Sequence, residues 1–366
     1  MKRIALTAAA AAMAAAAGGF AGNASADTEL VIVSWGGAYS ASQQNAYHDP
    51  YMKNNSDVSI VNDDSSSEAV AKLRAMNEAG NVTWDLVDVV AADAIRLCDE
   101  GLAKPIDHDK VLAPAPDGTP ASEDFGDLIV SECFIPQIVY STTWGYRHDM
   151  LDKDPTSVCD VFDLQNFPGK RSMEKNPINN MEWALICDGV DPANVYDVLG
   201  TREGVERALA KLDTIKDSVV WWTKGAQPPQ LLADGEVVMA SAYNGRLFAA
   251  IEEQKQPIKM LWDWQVFDLD GWIVPTGGDN EAEVMEYLKF ATDTQRLADQ
   301  AKYISYGPAR KSSAPLVGDH AELGIPMGPH MPTDPENSKT TLLYNYEFWA
   351  DNRDDIDERF QAWLLE

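Results

Sequence analysis

The 366-residue chain lacks the short motifs that most catalytic and nucleotide-binding sites use. It has no Cys-x-x-Cys pair, no G-x-S-x-G nucleophile elbow, no G-x-x-x-x-G-K-[ST] phosphate loop and no Rossmann glycine set. Its histidines lack H-x-x-x-H spacing, and we expect them to be solvated in polar loops rather than to bind a metal or act as bases. The five are His48, His108, His148, His320 and His330. These absences predict no catalytic residue, no metal site and no cofactor.

Basic residues are also scarce. The chain has 29 Lys and Arg against 58 Asp and Glu, for a formal charge of −29. Such a surface repels the phosphates of nucleic acids and anionic membranes, so we expect neither as a partner. It either steers cationic solutes toward the protein or is a generally acidic surface suited to a salty habitat. The length predicts two domains or one two-lobed unit.

Long apolar stretches are confined to the N-terminus. The first 26 residues, MKRIALTAAAAAMAAAAGGFAGNASA, combine Lys2 and Arg3 with an Ala-rich run and a small-residue end. This pattern predicts a secretory signal peptide cleaved after Ala26, which leaves a mature charge of −31 because two basic residues are removed. No Cys lies near the cleavage site, and no later run is long enough to span a bilayer. We therefore expect an exported, soluble protein.

Only four cysteines are present, namely Cys98, Cys133, Cys159 and Cys187. In an exported protein they allow two disulfides in three possible pairings. We favour the pairs of sequence neighbours, Cys98 with Cys133 and Cys159 with Cys187, in a structural role.

Strands and helices alternate in the first part of the mature chain. Apolar runs at 29–35, 58–63 and 84–90 predict buried strands. The first intervening helix should end near Pro50, and the second should begin with a capping box at Ser65. This order predicts a parallel sheet with helices on both faces, whose ligands bind beyond the carboxyl ends of the strands.

The rest of the chain continues this α/β pattern. Its predicted elements are an exposed stretch at 104–127, an extended segment at 134–147 that crosses to a second lobe, a helix at 202–215, a strand at 236–242, a helix at 281–292 returning to the first lobe, a loop-rich tail at 308–335 and a closing helix at 347–366.

The stretch from Trp221 to Pro275 concentrates side chains suited to a small charged molecule. It holds five of the eleven tryptophans. Arg246 follows an apolar run in YNGR, where its guanidinium can clamp a carboxylate, or alternatively form a structural salt bridge. Asp268 and Asp270 alternate in VFDLDGW, so they project from one face of a strand, and at least one would neutralise an amine.

Aromatic residues lie near several predicted strand ends, at Trp35, Tyr39, Trp221, Trp222, Tyr243 and Trp272. Aromatic faces bind ammonium groups and the methylenes attached to them, at roughly 0.5–2 kcal/mol per cation–π contact. The alternative for any single Trp is the hydrophobic core, but the concentration near turns favours a site. Gly36 and Gly37, after the first strand, let a ligand or backbone approach closely, and Asp93 follows the third strand.

The segments SWGGAY, FPGKR, EWALICDGV, WWTKGAQPPQLLADGEVVMASAYNGR, IVPTGG, SYGP and EFWAD together resemble the spermidine/putrescine-type periplasmic solute-binding proteins of ABC importers. That family also includes binders of 4-aminobutyrate. The resemblance implies a type II periplasmic-binding-protein fold with two α/β lobes, each a mainly parallel sheet flanked by helices, and a hinge of crossing strands. It implies lobe 1 at 27–137 with a return at about 272–305, and lobe 2 at 138–271 with a C-terminal segment at about 306–366.

The same resemblance implies a monomeric, non-enzymatic protein of the periplasm that delivers its ligand to an inner-membrane permease. It also implies that Trp35 stacks on the ligand beside Tyr39, and that Tyr243, Asp268 and Asp270 complete the site with Tyr306. The full set of candidate ligand-binding residues is Trp35, Gly36, Tyr39, Asp93, Trp222, Gln227, Tyr243, Arg246, Asp268, Asp270, Trp272 and Tyr306.

One departure from the polyamine binders bears on the ligand. They place an acidic pair after the P-x-x-x-G segment, where this chain has Asn176 and Asn179 in KNPINN. Arg246 would moreover repel a polyamine. We therefore expect an ω-amino acid such as 4-aminobutyrate, with its carboxylate on Arg246 and its amine near Asp268, Asp270 or Asp93, and keep spermidine or putrescine as the alternative. Carboxylate pairs are common in so acidic a chain, which keeps an exported carboxylate-pair hydrolase as a third hypothesis.

Overall fold

A computed structural model describes residues 28–366, so the predicted signal peptide lies outside the described residues. The strands are β1 Thr28–Val33, β2 Val58–Asp63, β3 Leu86–Val90, β4 Ile135–Arg147, β5 Arg171–Glu174, β6 Val219–Trp222, β7 Met239–Tyr243, β8 Ile258–Ile273, β9 Gly307–Pro308 and β10 Thr341–Leu343. The α-helices are α1 Gly37–Gln43, α2 Asp49–Asn54, α3 Ala69–Ala79, α4 Ala91–Asp99, α5 His108–Val111, α6 Ala121–Phe125, α7 Asn180–Cys187, α8 Val195–Leu199, α9 Arg202–Asp213, α10 Gln227–Ala233, α11 Asn244–Phe248, α12 Glu281–Ala291, α13 Thr294–Gln300 and α14 Tyr346–Leu365.

The strands form one mixed sheet in the order β2-β1-β3-β8-β4-β7-β5-β6. At one end β1 pairs in parallel with β2 and β3, and at the other β5 pairs in parallel with β6 and β7. We name these ends the first and the second lobe. The long antiparallel strands β4 and β8, of 13 and 16 residues, connect them. The predicted parallel sheets and crossing strands are present.

Each lobe has its own hydrophobic core. In the first lobe, Leu30, Ile32 and Leu86 pack with residues of α12 and α13, the helices that return after β8. In the second lobe, Trp144 and Trp183 pack with buried side chains of α14. The strands of a parallel sheet are buried on both faces by flanking helices, which is why β1 and β3 are nearly continuous apolar runs.

Local details differ from the prediction at the first two helices. The first helical segment does not end near Pro50, because a π-helical turn at Gln44–His48 connects α1 to α2. Pro50 then falls in the first turn of α2, where a missing N–H costs little. The capping box at Ser65 does not form, because a 3-10 turn precedes α3 and the Ser65 hydroxyl accepts a hydrogen bond from Lys72 instead.

Both predicted disulfides are present. Cys98 is bonded to Cys133, and Cys159 is bonded to Cys187. They close loops of moderate length, with sequence separations of 35 and 28 residues. Each disulfide therefore fixes the distance between two segments that are well separated in the sequence.

The prediction that the histidines are solvated is wrong for three of the five, His48, His108 and His320, which are buried. His48 contacts the hydroxyl of Tyr287, and His108 contacts the carbonyl oxygen of Phe134, so packing between distant segments buries them. Over residues 28–366, no helix is long and apolar enough to cross a membrane. The same residues contain no cluster of potential metal ligands.

Candidate ligand-binding cleft

A cavity lined mainly by aromatic residues lies between the two lobes. About 320 Å³ of space outside the protein atoms, part of it open to solvent, lies within it. Its lining residues are Trp35, Tyr39, Val90, Ile138, Tyr140, Tyr243, Arg246, Asp270 and Tyr306. Tyr140 packs edge-on against Tyr243, with 5.5 Å between ring centroids, and against Tyr306 at 6.0 Å. We call this cavity the aromatic compartment.

A second, more polar cavity adjoins it and shares Trp35, Val90, Tyr140 and Tyr243. About 750 Å³ of space outside the protein atoms, part of it open to solvent, lies within this polar compartment. Its other lining residues are Ser67, Asp93, Glu174, Asn176, Ile178, Asn179, Thr223, Asp268, Tyr344 and Arg353. The cleft therefore has an aromatic end with Arg246 and a polar end that contains three carboxylates and one further arginine.

Arg246 lies on α11, which begins directly after β7. Its Nη2 donates hydrogen bonds of 3.1 Å to the carbonyl oxygens of Trp35 and Gly36 in the first lobe. A side chain at Gly37 or Gly225 would approach this guanidinium to 2.9 Å, so glycines on both sides make room for it. The Nε of Arg246 is buried and has no hydrogen-bond partner. The guanidinium thus joins the two lobes and keeps unused donors in the cleft.

Asp268 and Glu174 are carboxylates of the polar compartment. The Asp268 Oδ2 accepts a 2.7 Å hydrogen bond from the Tyr140 hydroxyl, because these residues face each other on β8 and β4. Burial raises the pKa of Asp268 to about 7 and that of Glu174 to about 7. A ligand cation placed between them would favour their ionised forms and replace the water that burial removes.

Asp270 borders the aromatic compartment but faces another carboxyl group, that of Asp88 on β3. Burial raises the pKa of Asp88 to about 6, and burial together with the charge of Asp88 raises that of Asp270 well above its usual range. Asp88 accepts hydrogen bonds from Trp35 Nε1, Tyr39 and Gln43. These shifts favour the proton on Asp270 over Asp88, and Asp88 orients the two aromatic side chains through its hydrogen bonds.

Asp93 forms an ion pair with Arg353, whose Nη1 lies 2.6 Å from its Oδ1. Arg353 comes from α14, which packs against α4 beside the cleft. The charge of Asp93 is thereby balanced within the protein. Glu174 and Asp268 are therefore better suited than Asp93 to the predicted role of counter-charge for a ligand amine.

Most of the predicted site residues border the cleft in this structure. Those on its walls are Trp35, Tyr39, Asp93, Tyr243, Arg246, Asp268, Asp270 and Tyr306. Trp222 is buried and lines an adjoining pocket with Thr223 and Lys224. Gly36 contributes its carbonyl oxygen to Arg246. Gln227 is exposed, and its Oε1 accepts hydrogen bonds from the backbone N–H groups of Thr223 and Lys224 at the start of α10.

Trp272 is not part of the cleft wall. It is fully buried in the core of the first lobe, where its ring packs edge-on against Tyr47 with 5.7 Å between centroids. Alternation along β8 gives Trp272 the same side as Asp268 and Asp270, but at Trp272 that side is covered by Tyr47 and Tyr287.

Sequence reasoning missed four polar or aromatic residues of this region, namely Asp88, Tyr140, Glu174 and Arg353. Glu174 is the last residue of β5, and the rule that ligands bind at the carboxyl ends of strands could have found it. Tyr140 lies inside a crossing strand and Asp88 within an apolar one. Arg353 is one of many charged residues on α14, and only the packing of that helix brings it to the cleft.

Comparisons with known proteins agree with this arrangement. The chain matches the family described as bacterial extracellular solute-binding protein over residues 46–333. A gamma-aminobutyric acid-binding protein from Pseudomonas aeruginosa is 37% identical over 347 residues, which cover 94% of this chain and 93% of that protein.

Two solved structures are similar throughout. A structure described as a GABA receptor is 30% identical, with a TM-score of 0.77, over 92% of this chain and 97% of the other. The PBP MotA from A. tumefaciens B6, in complex with glucopine, is 28% identical, with a TM-score of 0.81, over 92% and 99%. The predicted type II periplasmic-binding-protein fold is confirmed. The chain belongs to the bacterial extracellular solute-binding protein family.

Proposed function

We propose that this protein captures an ω-amino acid, with 4-aminobutyrate as the leading candidate, for uptake by an ABC importer. The observation that carries the proposal is the state of Arg246. Its side chain is only 7% exposed, and its partners in the part of the chain that the structure describes are carbonyl oxygens rather than a carboxylate. A buried cation without a counter-charge is costly, so a ligand carboxylate is its natural complement.

The amine of the ligand is directed to the other end of the cleft. Glu174 and Asp268 face the polar compartment, and neither forms an ion pair with a Lys or Arg among residues 28–366. An ammonium group there gains charge-assisted hydrogen bonds to oxygens that burial has deprived of water. The Arg246 end of the cleft thus favours an anionic group and the polar end favours a cationic group, and a zwitterion has both.

The shared wall between the compartments suits a short methylene chain. Trp35, Tyr140 and Tyr243 border both cavities. Aromatic rings bury methylenes by the hydrophobic effect and attract the neighbouring ammonium group by cation–π interaction, at about 0.5–2 kcal/mol per contact. A linear chain with an acid at one end and an amine at the other fits this sequence of surfaces.

Putrescine has the same four-carbon chain with a second ammonium in place of the carboxylate. That ammonium would face Arg246, so it would meet repulsion where 4-aminobutyrate gains a salt bridge. The similarity to a gamma-aminobutyric acid-binding protein and to a GABA receptor structure supports the amino acid over the diamine.

We further propose that the cleft closes by hinge motion of lobes at 27–137 with 272–305 and at 138–271 with 306–366, joined at β4 and β8. The protein would act as a monomer in the periplasm, after removal of the first 26 residues, and deliver its ligand to an inner-membrane permease. The family assignment and the two-lobed fold support this role. A chemosensory role would use the same binding step.

Titration calorimetry with 4-aminobutyrate and putrescine tests the proposal. We expect 4-aminobutyrate to bind at least tenfold more tightly. Nanomolar binding of putrescine with no heat from 4-aminobutyrate would instead establish the polyamine alternative. Native mass spectrometry of the purified protein should show retained ligand at the mass of an unmodified amino acid. Recovery of a cleaved product after long incubation would support the hydrolase hypothesis.

A further inference from the structure

Asp88 is a buried acid that the proposed binding step does not use. It lies inside the apolar strand β3, is fully buried and lines neither compartment of the cleft. Its neighbour is a second acid, Asp270, and burial raises the pKa of both carboxyl groups. Two adjacent buried acids cost free energy that amide or apolar side chains would avoid. The native state must therefore gain something from keeping a carboxylate at this position.

The carboxylate of Asp88 accepts hydrogen bonds on both of its oxygens. Its Oδ1 accepts from Trp35 Nε1 at 3.3 Å. Its Oδ2 accepts from the hydroxyl of Tyr39 at 3.0 Å and from Nε2 of Gln43. An amide has only one acceptor oxygen, so Asn at this position could not accept from Trp35 on one side and from Tyr39 and Gln43 on the other.

Trp35 depends on this contact more than the other two donors do. Tyr39 and Gln43 have a second acceptor, because both also lie 3.1 Å from Oε1 of Gln137 on β4. The Nε1 of Trp35 has Asp88 as its single acceptor among residues 28–366. Loss of the Asp88 carboxylate would therefore release the indole, while Tyr39 and Gln43 keep a partner.

The backbone around Trp35 does little to fix its ring. Trp35 lies in the link between β1 and α1, outside both elements. The two residues that follow it are glycines with positive φ, 74° at Gly36 and 62° at Gly37, and they add no side chain against the indole. The ring is only partly buried and borders both compartments. Its orientation therefore sets the shape of the wall that the two compartments share.

We propose that Asp88 is a positioning residue of the cleft, which holds the Trp35 indole in the orientation that packs against the ligand. Asp88 acts through Trp35 and does not touch the ligand itself. Without its hydrogen bond the indole can change rotamer, and ligand binding must then order it, which weakens the affinity. The inference rests on the proposed function for the choice of 4-aminobutyrate as the probe.

A double-mutant cycle of Asp88→Asn and Trp35→Phe tests this role by titration calorimetry with 4-aminobutyrate. Asn has nearly the size of Asp, and Phe keeps an aromatic ring without the indole N–H. We expect Asp88→Asn to weaken binding by roughly tenfold or more in wild type, but by less than about threefold in Trp35→Phe. Equal losses in the two backgrounds, or no loss in either, would overturn the inference.

Asp63→Asn is the matched control for the loss of a Trp–carboxylate hydrogen bond. Asp63 ends β2, and its Oδ2 accepts a 3.0 Å hydrogen bond from Nε1 of the buried Trp84. Neither residue lines the cleft or the pocket beside it. The affinity for 4-aminobutyrate should be unchanged in this variant. A loss as large as in Asp88→Asn would reveal a general effect on the first lobe and contradict a specific role of Asp88.

Nuclear magnetic resonance of the indole N–H groups in the ligand-free protein gives a readout at Trp35 itself. The Trp35 signal is identified by its loss in Trp35→Phe, and we expect Asp88→Asn to shift it. In wild type its proton should exchange with water more slowly than that of the partly exposed Trp221, whose indole has no acceptor within residues 28–366. Exchange as fast as at Trp221 would overturn the inference even if Asp88→Asn failed to fold.

The positioning role and the proposed function can fail separately. If wild type binds 4-aminobutyrate but the cycle shows no coupling between Asp88 and Trp35, the positioning role is wrong and the proposed function stands. If wild type binds putrescine and not 4-aminobutyrate, the proposed function is wrong, and the same cycle measured with putrescine decides the role of Asp88.

Discussion

Replacement of Arg246 by Ala tests the assignment of the carboxylate end. The guanidinium makes two kinds of interaction that the substitution removes. Its Nη2 joins the lobes through the carbonyl oxygens of Trp35 and Gly36. Its positive charge, which has carbonyl oxygens rather than a carboxylate as partners within residues 28–366, is proposed to bind the ligand carboxylate. The two contributions can be separated, because only the second depends on the charge of the ligand.

The carboxylate contribution is the larger. Removing one partner of a buried ion pair costs about 3–5 kcal/mol, because the other charge stays buried and unpaired. The affinity for 4-aminobutyrate should therefore fall by roughly a hundredfold to several thousandfold. The two carbonyl hydrogen bonds contribute about 1 kcal/mol each. Their loss should weaken any ligand that needs the closed cleft, by roughly tenfold to thirtyfold.

Calorimetry with 4-aminobutyrate and its uncharged analogue 4-aminobutanamide distinguishes these contributions. We expect Arg246→Ala to weaken the amide only by the smaller factor, and the acid by both factors. The discrimination between acid and amide should thus nearly disappear in the variant. If Arg246→Ala weakens both ligands equally, the arginine serves only to join the lobes and the carboxylate lies elsewhere. Arg246→Lys should recover part of the preference for the acid, since it keeps the charge without the planar fork.

Two further predictions follow from buried acids. Asp268→Asn should weaken 4-aminobutyrate at pH 7 at least tenfold more than Asp270→Asn in the same titration, because Asp268 lines the polar compartment, whereas burial and Asp88 raise the pKa of Asp270 well above its usual range; a larger loss in Asp270→Asn would contradict this. Glu182 has its pKa raised to about 7 by burial, so it stabilises the folded state fully below its unfolded pKa near 4.5 and loses this contribution as the pH rises through 7. The loss amounts to at most about 3 kcal/mol. Chemical denaturation at pH 5 and pH 8 should therefore show a smaller pH dependence for Glu182→Gln than for wild type. The exposed-site control Glu203→Gln should leave the pH dependence unchanged, and an equal change in both variants would argue against Glu182.

The strands of the first lobe were predictable because their burial requires a recognisable apolar sequence. A parallel strand covered on both faces must be apolar, so the runs at 29–35, 58–63 and 84–90 identify β1, β2 and β3 to within about two residues. The pairing of β8 with β3, β4 and β10 was not predictable in this way. It depends on contacts between residues far apart in the chain, and the composition of a strand does not predict which strands pair with it.

The helix that continues past Pro50 shows a second limit. Proline usually ends a helix, and the sequence carries no sign of the π turn at Gln44–His48 that lets the backbone continue. The buried His48 in that turn was missed for the same reason. Its ring contacts Tyr287 on α12, which enters the first lobe only after the chain has crossed the second.

The cleft residues that the sequence predicted were found mainly by their positions at the ends of predicted strands. Trp35 follows β1, Tyr243 ends β7 and Arg246 lies in the next helix, so each could be assigned to the carboxyl edge of the parallel strands in its own lobe. Trp272 was assigned wrongly to the site because alternation gives the side of a strand but not the point at which the cleft ends. Arg353 belongs to α14, and its position depends on tertiary packing alone.

The charges of the cleft explain why ligand and lobe closure should be coupled. In this structure Arg246 donates to neutral carbonyl oxygens, Asp93 is paired with Arg353, and burial together with Asp88 raises the pKa of Asp270 well above its usual range. Closing the cleft without ligand therefore buries one unbalanced cation at the aromatic end and unbalanced acids at the polar end, which opposes closure. A zwitterion removes both penalties in one binding event, while a diamine removes only the second and adds to the first. Under the proposed function, selectivity and closure depend on the same interactions, because the group proposed to bind the carboxylate is the group that joins the lobes.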